Sequence, residues 1–205
     1  MSAVTFASLD WNTAPMPGSN APVQLAQLPS VADGAFQAFV RFPAGWARPG
    51  PGYYSVAEEL LILEGDLHLN DMTWHAGGYA WIQENRVRSA SRSESGCLAF
   101  AWFASAPHWI PGEPNEAVLA NDVILAHWRD APERTLGTND SGRQLYTGRE
   151  HHTWVVQRRQ VPLLATSGTQ YETIDLHDRA WCSDAAHEPQ GDPTGAVLVR
   201  VWHRS

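Results

Sequence analysis

Glu58 stands at the head of the apolar run Leu60–Leu63, in the stretch Gly52 to Asn70 that reads GYYSVAEELLILEGDLHLN. A carboxylate carried into an apolar setting is costly unless its charge is offset, so such a group takes a proton, a cation or a cationic side chain. The nine histidines make no chelating pattern of their own. His151 and His152 are adjacent and, on a strand, point to opposite faces. His177 and His203 have no evident partners, and His75 is expected in the loop before Gly77. His68 is expected in solvent if Leu67 and Leu69 face the core, and in a pocket if they face outward. Cys97 and Cys182 form no CxxC pair and fall on apolar, strand-like positions, which suits buried inert thiols.

The basic residues are all Arg; without Lys there is no Schiff-base chemistry and no P-loop. The chain carries no GxSxG elbow, no HExxH, no dinucleotide-binding glycine pattern after a strand and no calcium loop. A net charge of −8 argues against nucleic acid and against anionic membrane surfaces as partners. No secretory signal or membrane-length apolar run is visible, and the expected location is cytoplasmic.

The elements that must position these groups are strands. Phe36, Ala38, Val40 and Phe42 alternate with Gln37, Phe39 and Arg41, and Leu67 and Leu69 alternate with Asp66, His68 and Asn70. The runs Cys97–Phe103 and Val197–Trp202 have the same period of two. Turn residues punctuate them, and the best helix candidate is the short piece Glu116–Ala120. Pro43–Gly52, reading PAGWARPGPG, is too rich in Pro and Gly for a central strand. Ala104–Asp122 and Ser183–Gly195 also read as connections. A faint repeat links Tyr79-Ala80-Trp81, Arg88 and Gly96 with Arg179-Ala180-Trp181, His187 and Gly195.

The block EELLILEGDL, followed by Gly77-Gly78 and Tyr79-Ala80-Trp81, resembles the cupin superfamily and within it the ChrR-type cupins. The resemblance implies an all-β cupin jelly-roll barrel over residues 1–110, with residues 111–205 forming a connection and a truncated second cupin-like repeat packed on the first. In that family two His, one Glu and a third His converge on a divalent metal such as Fe, Mn, Ni or Zn. Here Glu58 matches the acid. The two upstream His positions fall on Gly52 and Tyr54, or on Pro51 and Tyr53, and the third falls on Arg88. Asn85 takes a position usually held by Gly, and it tolerates the left-handed conformation.

The resemblance therefore brings the Arg88 guanidinium to the Glu58 carboxylate, where relatives hold an ion. The implied site is metal-free, with Glu58 and Arg88 as catalytic candidates and Tyr53, Tyr54 and Trp81 lining it. It would take a small carboxylate or carbonyl compound for isomerase-, lyase- or cyclase-like acid–base chemistry. Two alternatives stand beside it. One is a metal-dependent dioxygenase with non-standard ligands, a composite site using His187 among them. The other is a non-catalytic ligand sensor or dimerisation module. Abundant Trp and exposed strand edges point to a homodimer.

Overall fold

The alternating runs pair as strands almost throughout. The computed structural model describes residues 4–115, 122–164, 169–183 and 192–202. In chain order its strands begin with β1 (Asn12–Ala14), β2 (Val23–Leu28), β3 (Phe36–Phe42), β4 (Trp46–Arg48), β5 (Gly52–Tyr54) and β6 (Glu58–Leu69). They continue with β7 (Met72–His75), β8 (Tyr79–Ile82), β9 (Ser91–Ser93), β10 (Cys97–Phe103), β11 (Trp109–Pro111) and β12 (Val123–Leu125). The last six are β13 (Glu133–Thr135), β14 (Ser141–Thr147), β15 (His151–Gln157), β16 (Gln170–Asp175), β17 (Trp181–Ser183) and β18 (Ala196–Trp202). Among the described residues helix is limited to short 3-10 turns and the four-residue α1 (Val161–Leu164). The fold is all-β, and no helix among the described residues is long and apolar enough to cross a membrane.

Residues Asp10–Pro29 and Gly34–His127 form one unit. Its main sheet runs β1-β2-β3-β10-β6-β8-β12, with β4, β7 and β9 joined off that path and β5 paired to β11. The twelve-residue β6 serves both walls of the barrel. Glu58–Leu61 pair with β8 and β10, whereas Asp66–Leu69 pair with β7. Gly65 marks the crossing: its φ is +72°, and a Cβ there would overlap the Gly96 carbonyl oxygen.

The inward row is apolar and clusters into one core. Ala38, Val40, Leu60, Ile62, Ala80, Ile82, Ala99 and Ala101 come from one wall, and Trp46, Leu67, Leu69 and Trp74 from the other. Burying each large apolar side chain contributes roughly 1.5–3 kcal/mol. Leu67 and Leu69 do face the core, so His68 turns away and bonds Thr73 Oγ1 at 2.9 Å. His75 closes β7 and is exposed, where a loop position was expected. β4 falls inside the PAGWARPGPG stretch and pairs only with β9, so that stretch supplies an edge strand and no central one.

The second unit comprises Met1–Leu9, Ser30–Asp33 and Trp128–Ser205. Its sheet order, β13-β14-β15-β18-β16-β17, repeats position for position the order β1-β2-β3-β10-β6-β8. Among the described residues it has no counterpart of β4, β5, β7, β9 and β11, so the second repeat is truncated to one wall. Val156, Val161, Tyr171, Val197, Val199 and Val201 form its apolar cluster. The units meet in sequence at His127/Trp128, later than the expected break after residue 110, because β12 pairs with β8. Likewise Val4 bridges to Trp181, which places the N-terminal residues with the second unit. The expected helix at 116–120, His187 and His203 lie outside the described residues.

Candidate functional site

The site forms where β5 meets the turn after β8. Asn85 adopts φ +60°, as its left-handed tolerance allows, and its N–H donates to the Tyr54 carbonyl at 2.8 Å. Two residues past that turn the chain bridges back: Arg88 N–H donates to the Gly52 carbonyl at 2.8 Å, and Gly52 N–H to the Arg88 carbonyl at 3.1 Å. Asp122 fastens the turn from outside, accepting from Gln83 N–H at 2.9 Å and from Arg86 Nε at 2.8 Å. Gly52 must be glycine because a Cβ there would enter the Trp109 ring. Arg88 is thereby delivered to the barrel wall with its side chain 2% exposed.

Glu58 begins β6, between Ile82 of β8 and Phe103 of β10. Arg88 Nη2 donates to Glu58 Oε2 at 2.5 Å, and Arg88 Nη1 reaches the Arg86 carbonyl at 3.4 Å. The Arg88 guanidinium also sits 4.8 Å from the Tyr54 ring centre. Charge-assisted pairing of this kind offsets the desolvation of both groups, which neither could bear alone.

A cavity of about 240 Å³ opens beside this pair. Its walls are mostly apolar, among them Met16, Leu25, Phe36, Leu60 and Phe103, and Ala101 leaves the space unfilled. Glu58 is the acidic residue that lines it, and Arg88 does not line it. Glu58 Oε1 has no hydrogen bond among the described residues. Tyr54, Trp109 and the exposed His108 complete the polar part of the wall. Tyr54 and Trp109 face each other across the β5–β11 pair with ring centres 5.3 Å apart.

Arg48 is the residue that sequence reasoning missed. On β4 it shares the inward row with Trp46 and is 4% exposed. Its guanidinium lies 3.5 Å from the Trp109 ring centre and 5.8 Å from those of Trp46 and Tyr54. Nη1 donates to Tyr54 Oη at 3.5 Å, and Nε is buried without a hydrogen bond. The signal available was a lone Arg in an otherwise neutral aromatic, Pro-rich stretch. Its partner Trp109 lies in a connection that reads as loop.

Of the five residues named from sequence, the structure brings together Glu58, Arg88 and Tyr54. Tyr53 and Trp81 do not line the cavity. Neighbouring residues on a strand alternate, so Tyr53 points away when Tyr54 points in. Trp81 sits opposite Glu59, on the row that faces away from Glu58, Leu60 and Ile82.

The donor set at the barrel centre does not fit a divalent metal. It offers one carboxylate, already engaged by a permanently charged guanidinium, and one imidazole on the same cavity wall, the exposed His108, where a metal site takes three or four protein ligands. Among the described residues no cluster of three His, Cys, Asp or Glu side chains could hold an ion.

No family model matches the sequence, and no curated protein matches it. Solved structures do. A candidate dioxygenase from Nostoc punctiforme superposes with a TM-score of 0.72 at 14% identity, covering 98% of this chain and 81% of that one. Ylba from E. coli gives 0.59 at 10% identity, with 99% and 91% covered. A candidate glyoxylate-induced protein from Pseudomonas aeruginosa gives 0.50 at 11% identity, with 93% and 77% covered. At such identities the likeness concerns the fold. The fold is that of the cupin superfamily, a jelly-roll barrel with a shortened second repeat.

Proposed function

We propose that the barrel binds a small carbonyl or carboxylate compound and that Glu58 moves a proton on it. One observation carries this reading. Glu58 lines an apolar cavity with one carboxylate oxygen tethered by Arg88 at 2.5 Å and the other without a hydrogen bond among the described residues. A carboxylate so held is fixed in direction against an apolar wall, which suits a general base. The cavity lies below the usual range of roughly 300–1,000 Å³ for ligand pockets, so the compound is small.

In the proposed step Glu58 Oε1 takes a proton from carbon next to a carbonyl. The bonding pair passes to the carbonyl oxygen, giving an enolate, and return of the proton at another atom completes an isomerisation. Arg88 acts as a positioning residue, since it touches Glu58 and not the cavity. A sensor that binds the same compound without turning it over is the second reading. It shares the pocket and differs only at Glu58.

The test is deuterium exchange into small ketones and oxo-acids in D2O, followed by proton NMR. Protein-dependent exchange that is lost in Glu58→Gln supports the base. Binding without exchange selects the sensor. Metal analysis tests the donor-set argument separately. A full equivalent of Fe, Mn, Ni or Zn retained after purification without added metal would overturn the metal-free barrel.

A further inference from the structure

We infer that Arg48 makes this barrel a site for an organic anion, with the ligand's carboxylate received at the Tyr54–Trp109 end of the cavity, against which Arg48 packs. The inference rests on the proposed binding role of the barrel and names the class of compound it takes, a carbonyl compound that also bears a carboxylate.

The argument is a count of buried charge. On the inward face of this unit the described residues place three buried charged side chains: Glu58, Arg88 and Arg48. Glu58 and Arg88 neutralise each other. Arg48 remains, 4% exposed, with no carboxylate within ion-pair distance among the described residues. Its contacts are three aromatic rings and one phenol oxygen, and its Nε has no acceptor. Aromatic faces attract a guanidinium but do not supply hydrogen-bond acceptors for its five donors. A buried cation left in this state is costly by itself and is matched by an arriving anion.

The geometry connects that cation to the cavity. Arg48 itself does not line the cavity; Tyr54 and Trp109 do, and they are the groups that Arg48 touches from behind the wall. Tyr54 Oη accepts from Arg48 Nη1, which leaves the phenol proton for an anionic oxygen. The Tyr54 ring centre also lies 4.8 Å from the Arg88 guanidinium, which pairs with Glu58. An oxo-acid with its carboxylate at the Tyr54 hydroxyl, beside the Arg48 charge, would lay its adjacent carbon along the wall toward Glu58, which lines the same cavity.

The experiment uses two probes on the full chain: 4-methyl-2-oxopentanoate, and 4-methyl-2-pentanone, which has a methyl group where the carboxylate stands. Calorimetric titration of the wild type is expected to favour the oxo-acid by about tenfold or more, a difference typical of one added charged contact. Arg48→Met is expected to remove that preference while leaving ketone binding within about twofold, and Arg48→Lys to retain part of it. Should Arg48→Met fail to fold, Tyr54→Phe serves, because it keeps the ring and deletes the hydroxyl; it should weaken the oxo-acid more than the ketone. Equal binding of the two probes by the wild type, binding of neither, or an undiminished preference in a folded Arg48→Met protein would overturn the inference. The two readings fail separately. A charge preference without deuterium exchange at C3 removes the base and leaves the anion site. Exchange into the ketone without a charge preference does the reverse.

Discussion

Arg88 and Glu58 are joined at 2.5 Å, yet only Glu58 of the two reaches the cavity wall. The guanidinium holds one carboxylate oxygen from within the protein, and the second has no hydrogen bond among the described residues. A cation thus occupies the place that the cupin resemblance assigns to a metal ligand, and it holds the acid in one direction.

The strength of that pair is measurable. Arg88→Met should lower the unfolding free energy by about 3–5 kcal/mol, because it strands a carboxylate in the barrel. The double variant Glu58→Gln/Arg88→Met should recover most of the loss, since both charges are then gone. Urea unfolding of the four proteins decides it, and additive effects would contradict a coupled pair.

Arg48 should behave in the opposite sense. Its burial without an anion costs several kcal/mol, and the aromatic faces, which supply no hydrogen-bond acceptors, offset only part of that. In the absence of ligand, Arg48→Met is expected to unfold at a temperature no lower than the wild type. A marked drop by differential scanning calorimetry would mean that the rings alone satisfy the guanidinium.

Burial, and secondarily the Asp66 charge, push the Cys97 thiol up to about 12. At pH 8 only about one thiol in ten thousand is then ionised, and the thiolate is the reactive form. Iodoacetamide should leave the Cys97 peptide unmodified in the folded protein and alkylate it in urea, as read by mass spectrometry. Rapid labelling in the native state would show that β10 opens.

Asp66 is held below the ordinary carboxylate range, chiefly by the Ser95 hydroxyl and then by the Glu94 and Ser95 backbone N–H groups. A depressed folded value contributes stability above the unfolded value and loses it as pH falls through the folded one. Asp66→Asn should therefore unfold at lower urea than the wild type at pH 7. The gap should begin to close near about pH 4 and continue closing below it. A gap independent of pH would assign the effect to the turn alone.

Gly65→Ala should destabilise the protein by more than about 1 kcal/mol, since φ is positive there and the Gly96 carbonyl occupies the Cβ position. Chemical unfolding gives the value. An unchanged midpoint would mean that β6 can cross between walls without its kink.

Alternation of apolar and polar residues, which needs no knowledge of partners, made the strands of β3, β6 and β10 legible from the sequence. The EELLILEGDL block identified the barrel and aligned Glu58 with Arg88, and Asn85 declared its left-handed turn by residue type. Those features are local, set by backbone sterics and by the period of a strand. Which face each strand turns inward was not local. Trp81 and Tyr53 fell on outward rows because register is decided by pairing with β6 and β11. Arg48 and Trp109 met only through tertiary structure. Their strands are three residues long, too short for any periodic signal, and they lie in stretches read as loops. The buried charge imbalance depends on where remote segments close around one side chain, so folding of the whole unit decided it.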